Sequence, residues 1–251
     1  MSEGKEHSEA VRVEHVSKSF GGRKVLEDLS FRVASGEAFC LLGRSGIGKS
    51  VTLKLLIGLL KPDGGTIFIK GNEIPSLRGE KLTEARKKMG FLFQNAALFD
   101  SISVRENVAF PLRRHTKKSE KEIRSIVNDK LKHVELEKDG DKMPSELSGG
   151  MQKRVGLARA LALDPSILLV DEPSSGLDHI TASEIYELLN GLKEKRHVTL
   201  IAVTHDVPGA KTFGDRFAVL AHGRIVACGT AEDLAHSEER EVRELASGAQ
   251  T

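Results

Sequence analysis

The chain has 251 residues, 39% hydrophobic and 29% charged, enough for one sizeable core or for a core with an inserted subdomain. This excludes a disulfide-framed miniprotein, a collagenous repeat and a wholly disordered tail. Lys plus Arg number 38 and Asp plus Glu 36, a net charge of +2, which gives no case for nucleic acid as a partner.

Val11, Val13 and Val16 open the chain in a strand-like pattern, and Leu29, Phe31 and Val33 alternate with polar residues as a half-buried strand does. The apolar run EAFCLL, 37–42, fits a strand buried on both faces. After it come a Gly-rich loop, 43–50, and a stretch, 51–60, with Leu and Ile at helical spacing. TIFI (66–69) and GFLFQ (90–94) predict two more strands. The character then changes: from about 101 to 153 the sequence is charged and helical, with KKSEKEIRSIVNDKLKHVEL as its clearest amphipathic segment. SILLVD (166–171) and TLIAVT (199–204) are buried strands flanking an amphipathic helix over 181–195. The segments 217–221 and 224–228, joined at His222-Gly223, predict a closing hairpin. Alternating strands and helices imply a mostly parallel sheet. No apolar run approaches the roughly 20 residues that span a bilayer. The opening MSEGKEHSEA has no signal-peptide core, so the expectation is a soluble cytoplasmic protein. Cys40 and Cys228, both in strands, are expected as small core residues.

GRSGIGKS, 43–50, matches G-x-x-x-x-G-K-S between a strand and a helix. Gly43, Gly46 and Gly48 let the backbone approach phosphates, with Ser45 inside the loop and Val51 just after it. The helix beginning near Lys49 brings its positive dipole end to the same place. Lys49 can reach the β- and γ-phosphates of ATP, and Ser50 can ligate Mg²⁺. In SILLVDEP, an apolar strand ends in two carboxylates: Asp171 to hold Mg²⁺, Glu172 to polarise an attacking water. LSGGM, 147–151, is a capped helix start whose Ser148 hydroxyl and Gly149 and Gly150 N–H groups can receive an anion.

In order, the P-loop, Gln94, LSGGM, the Asp171-Glu172 pair, SSGLD (174–178) and His205 make the sequence resemble the ATP-binding cassette (ABC) ATPases over nearly its whole length. The resemblance implies an α/β fold: a P-loop NTPase core over 1–95 and 160–231 with a mostly parallel sheet and an N-terminal antiparallel β part. It also implies a helical subdomain inserted over 96–159 and a C-terminal tail over 232–251. It implies that Phe20 stacks on adenine, that Gln94 senses Mg²⁺ and the attacking water, and that His205 contacts the γ-phosphate. Glu172, His205, Lys49 and Gln94 are then the catalytic set, and Ser50, Gln94 and Asp171 the metal set. Ser148, Gly149, Gly150 and Asp178 would serve a second copy of the chain in a head-to-tail dimer, with ATP and Mg²⁺ between the copies. His179 departs from the proline usual at its position.

An ATPase without a membrane span needs a permease to move anything across a bilayer. The stretches FQNAALFDSISVRENVAFPLR (93–113), GKSVTLKLLIGLLKPDGG, MPSELSGGM, THDV and EVREL are similar to the Mla/Mce-type lipid-transport ATPases. That resemblance implies a place on the cytoplasmic face of the inner membrane, phospholipid or another hydrophobic cargo, and a periplasmic MCE-domain partner. The alternatives are the ATPase of another importer or exporter, or an ABC protein without a transport role. For the charged tail, apolar Val242 and Leu245 raise the expectation that it docks on the other ATPase chain; the competing expectation is a solvated helix.

Overall fold

The computed structural model describes residues 8–239 and 242–243. Two sheets organise it. Strands β1 (Glu9–Phe20) and β2 (Arg23–Ala34) form an antiparallel hairpin. Its turn is the pair Gly21-Gly22, with φ of 54° and 80°. Two consecutive positive φ values match the right-handed twist of the strands they join. This turn is why the hairpin extends beyond the apolar segments that announced it. Strand β3 (Ala38–Leu42) leads through the Gly-rich loop into helix α1 (Lys49–Leu56). Strands β4 (Gly64–Ile69) and β5 (Asn72–Glu73) complete a four-stranded sheet of order β2-β1-β4-β5. Helix α2 (Gly79–Lys87), which the sequence pattern did not reveal, precedes β6 (Met89–Leu92). Only Ala85 of α2 is buried, so it carries no apolar stripe to detect.

Three helices follow: α3 (Val104–His115), α4 (Glu120–His133) and α5 (Gly149–Ala160). Helix α4 falls on the amphipathic segment; Ser119 and Glu122 form a capping box at its start, and Ile123, Val127 and Leu131 are its buried face. Strand β7 (Ile167–Asp171), helix α6 (His179–Arg196), strand β8 (Thr199–Thr204) and the short α7 (Val207–Ala210) come next. Strands β9 (Arg216–Ala221) and β10 (Arg224–Gly229) are the expected hairpin, turning on His222 and Gly223 at φ of 50° and 76°. Helix α8 (Ala231–Ala235) closes the described fold.

The larger sheet has the order β10-β9-β3-β8-β7-β6. All neighbours are parallel except β9 and β10. Its central strands β3, β7 and β8 are buried at every position, as a sheet covered on both faces requires. Successive residues serve different cores. Phe39, Leu41, Ile167, Leu169, Ile201 and Val203 pack with the antiparallel sheet and α1. Ala38, Cys40, Leu42, Leu168, Val170, Leu200 and Ala202 share a core with α3, α4, α5 and α6. The helical segment therefore has no separate core; its apolar faces continue that of the sheet.

Two expectations change. Cys40 is buried in the centre of the larger sheet but Cys228 is exposed on its edge strand, β10. The stretch after Ala231 is not wholly solvated: Leu234 and Val242 are buried in the second core of their own chain. Val242 is thus not a free surface for a second copy, and Leu245 lies outside the described residues. Among the described residues no helix is long and apolar enough to cross a membrane.

Candidate active site

The P-loop lies at the C-terminal edge of the parallel sheet, where β3 ends at Leu42. Gly48 precedes α1 at φ 117°, a conformation that a side chain would strain. At Gly43 a Cβ would stand 2.8 Å from the Leu220 carbonyl oxygen, so the loop also needs glycine for close approach to β9. Lys49 begins the helix with its side chain folded back: Nζ donates to the carbonyl oxygens of Gly43 (2.7 Å) and Arg44 (3.1 Å). It is 4% exposed and pairs with Glu172 Oε1 at 3.0 Å. Ser45 is exposed on the loop, and Val51 packs partly against the core beneath it.

From the neighbouring strand, Asp171 ends β7 and accepts a hydrogen bond from Ser50 Oγ at 2.7 Å. Burial raises the Asp171 carboxyl above its usual pKa, and the Ser50 bond opposes that rise. Glu172 follows at φ 46°, in the left-handed region. Its amide donates to Val203 O at 2.9 Å. Its Oε2 accepts from the backbone N–H of His205 at 3.3 Å and lies 2.9 Å from His205 Nδ1. A carboxylate 6% exposed is therefore held between a lysine and a histidine. Gln94, exposed after β6, reaches the same turn through Ser175: Nε2 donates to Ser175 Oγ at 3.1 Å.

The structure thus joins Lys49, Ser50, Asp171, Glu172, His205 and, through Ser175, Gln94. Of SSGLD, Ser175 is the link just named, its amide also donating to Glu172 O at 3.2 Å. Phe20, Ser148, Gly149, Gly150 and Asp178 are not joined to this group by a hydrogen bond among the described residues. Phe20 stands at the tip of the β1–β2 hairpin, 45% exposed, with Lys18 Nζ 5.4 Å from its ring centroid. Ser148 caps α5, its Oγ accepting from Met151 N at 3.3 Å. Asp178 caps α6 through the N–H groups of Ile180 and Thr181, both at 3.0 Å. Those two caps are neighbours: a Cβ on Gly150 would meet Thr181 Cγ2 at 2.2 Å, so Gly150 is a packing glycine where α5 crosses α6.

Sequence reasoning passed over Lys153. Gly150, Lys153 and Leu157 are all buried, at the spacing of one helix face, and Lys153 is the charged exception on it. Burial pushes its ammonium down to about 8 while Asp171 and Glu172 pull it back up. Tyr186 and Asp206 were also missed. The Tyr186 hydroxyl donates to Asp206 Oδ2, while Asp206 Oδ1 accepts from Gly209 N at 3.0 Å, fixing the chain just after His205.

These groups suit a triphosphate: buried cations and a helix N-terminus for the phosphates, oxygen donors for a hard cation, and a carboxylate for a water. Comparison with known proteins agrees. The ABC transporter family model matches residues 26–175, more than half of the chain. A "Probable ribonucleotide transport ATP-binding protein mkl" of Mycobacterium leprae is 46% identical over 239 residues, 95% of this chain and 69% of that protein. The "Intermembrane phospholipid transport system ATP-binding protein MlaF" of Haemophilus influenzae is 41% identical over 238 residues, 95% of this chain and 90% of that protein. The dimeric ATP-binding cassette MJ0796, in a post-hydrolysis state bound to ADP and Pi, superposes with a TM-score of 0.81. It is 35% identical, and the match covers 88% of this chain and 98% of that one. The chain therefore belongs to the ABC transporter family, and it is an ATPase of that family.

Proposed function

We propose that two copies of this chain bind ATP head to tail and drive a phospholipid permease. The observation that carries the hydrolytic reading is the convergence of Lys49 and His205 on the two oxygens of the Glu172 carboxylate. Lys49, now held by two P-loop carbonyls and Glu172, has a stronger acceptor in the β- and γ-phosphates of ATP. Its transfer to them frees Glu172 Oε1 to accept a proton from the attacking water. His205, 44% exposed and bonded on one side to Glu172, has its other ring nitrogen free to meet the γ-phosphate. Phe20 offers a flat exposed face to the base. Ser148, Gly149, Gly150 and Asp178, on adjoining helix starts, complete the site of the second copy.

Ser50, Asp171 and Gln94 supply only oxygen donors, the set that Mg²⁺ prefers. Bound there, Mg²⁺ would neutralise phosphate charge.

The permease reading has its own support. Phe99 and Phe110 are both exposed, with ring centroids 4.8 Å apart and the Arg159 guanidinium 5.9 Å from the Phe99 ring. Phe110 lies on α3, and buried Asn107 of the same helix ties down the loop of Phe99: it accepts from Phe99 N at 2.8 Å and donates to the carbonyl oxygens of Phe99, Ile102 and Ser103. An exposed aromatic pair held by such bonds, its first ring a few residues after Gln94, fits a permease segment. The likeness to MlaF over most of both chains favours phospholipid as cargo, an MCE-domain protein as periplasmic partner and the cytoplasmic face of the inner membrane as location. The likeness to the M. leprae probable ribonucleotide transport protein favours ribonucleotides as the second reading.

The test is purification of tagged E172Q chain from native membranes in mild detergent, with mass spectrometry of what accompanies it. The expected companions are a permease and an MCE-domain protein, and the wild-type complex in vesicles should then move labelled phospholipid on addition of ATP. An unrelated permease, or movement of a ribonucleotide instead, would overturn the lipid reading.

A further inference from the structure

Lys153 takes no part in the chemistry above, yet it touches the residue on which that chemistry turns. It sits on α5, five residues past Ser148, and is 4% exposed. Its Nζ donates to the backbone carbonyl oxygen of Glu172 at 2.9 Å. Burying an ammonium costs unless charge and donors are met. Asp171 and Glu172, at the end of β7, supply the countercharge. Arg154, next on the helix, is engaged elsewhere, by Glu135 and Glu184.

The accepting carbonyl is a particular one. Glu172 holds φ at 46°, where a residue with a Cβ persists only if its surroundings over-determine it. Three bonds do so. The Glu172 N–H donates to Val203 O at 2.9 Å, and its carbonyl oxygen accepts from Ser175 N at 3.2 Å and from Lys153 Nζ at 2.9 Å. The first two are short-range consequences of the β7–β8 pairing and of the turn itself. Lys153 alone of the three reaches Glu172 from a different layer of the fold. Relaxing Glu172 to an ordinary conformation would rotate its side chain away from the positions at which it meets Lys49 and His205.

We infer that Lys153 is a positioning residue for ATP hydrolysis: through the Glu172 carbonyl it maintains the backbone that aims the Glu172 carboxylate, and it ties that carboxylate to the helix that starts at Ser148. This rests on the reading of Glu172 as the residue that handles the attacking water.

The link has a mechanical basis. Five helical residues span about 7.5 Å, so Ser148 and Lys153 belong to one short rigid rod. The rod is closely fitted: a Cβ on Gly156 would come within 3.1 Å of Leu92 and 3.2 Å of Ala96, and Gly150 is tight against Thr181. The helix that would meet a nucleotide of the second copy at Ser148 is therefore the same one that holds the Glu172 carbonyl through Lys153.

The test compares K153M, which keeps the length but loses the donors and the charge, with K153R, which keeps both, and with E172Q. Steady-state ATPase of the full-length chain gives kcat and KM, binding of a fluorescent ATP analogue gives affinity, and thermal unfolding reports the fold. The expected result is a fall in kcat of about tenfold or more in K153M, with KM and affinity within about twofold of wild type, and substantial recovery in K153R. Wild-type kcat in K153M beside an inactive E172Q would overturn this inference and leave the Glu172 reading standing. So would an equal loss of kcat and thermal midpoint in K153M and K153R, which is the mark of a merely structural lysine. Wild-type turnover in E172Q would overturn the reading beneath it. If K153M does not fold, K153L, which also lacks both donor and charge, replaces it with the same outcomes.

Discussion

The hydroxyl of Ser50 donates to Asp171 Oδ1 at 2.7 Å, joining two residues 121 positions apart. One belongs to the first turn of α1 and the other to the last residue of β7, so the bond fastens the P-loop helix to the neighbouring strand. It also keeps two oxygen donors within reach of one cation while opposing the rise in the Asp171 pKa that burial causes. S50A should lower Mg²⁺-dependent kcat roughly a hundredfold, the scale of one lost donor at a site of developing charge. Because the Lys49 contacts remain, ATP binding without Mg²⁺ should change little. A titration of ATPase rate against Mg²⁺ checks this, and an unchanged Mg²⁺ dependence would remove Ser50 from the metal set.

Gly150 offers a second prediction, about packing. Its absent Cβ would fall 2.2 Å from Thr181 Cγ2, so G150A forces α5 and α6 apart at their starts. The expected cost is about 1–3 kcal/mol, read from urea unfolding. T181S removes the clashing methyl but keeps the hydroxyl that donates to Asp178 Oδ2 at 2.7 Å. The double variant G150A/T181S should therefore regain most of the loss, which would make the two substitutions strongly non-additive. Additive losses would place the strain elsewhere.

Asp206 gives a pH-dependent prediction. Burial pushes its carboxyl up, but bonds from Tyr186, Gly209 and Ser174 more than offset this and hold it below the ordinary carboxylate range. A carboxyl with a lowered folded pKa contributes stability that is complete above its unfolded pKa and lost as pH falls through the folded value. D206N should thus cost about 1–2 kcal/mol near pH 7. The gap from wild type should already be narrower at about pH 3, below the unfolded carboxyl pKa, and should close only as pH falls through the lowered folded value. Y186F should cost somewhat less, since the cap on Gly209 survives it. Denaturant unfolding at the two pH values checks both, and a gap that widens in acid would reverse the assignment.

The differences in how easily these features were read have physical reasons. Gly43 to Ser50 is legible because eight consecutive residues must all serve one phosphate cradle, so the constraint is written in one place. Asp171, Glu172 and His205 could be expected near it because each ends or follows an apolar strand, and parallel strands end on one edge of the sheet. The bond between Ser50 and Asp171 was not legible, since only the strand order brings α1 beside β7. Lys153 was hidden by its helix: a lysine among QKRVGLARAL looks like a solvated face until the packing of α5 shows which side is inward. Cys228 was misjudged because alternation along a strand does not tell whether the strand lies at the centre or the edge of its sheet. Helix α2 went unseen because, with Ala85 its one buried residue, it has almost no apolar periodicity.

Val242 decides between two roles for the tail. Its side chain is fully buried in the core that also holds Leu234, Phe217 and Val219 of the same chain. Removing two methyl groups there leaves a cavity, so V242A should cost about 2 kcal/mol in the isolated chain. The discriminating measurement is the thermal midpoint at several protein concentrations. Packing within one chain lowers the midpoint by the same amount at every concentration. A tail that instead held two chains together would make the effect of V242A grow as concentration rises, and the midpoint of the wild type would itself climb with concentration. The first pattern is expected, because the contacts that bury Val242 are already complete within one chain.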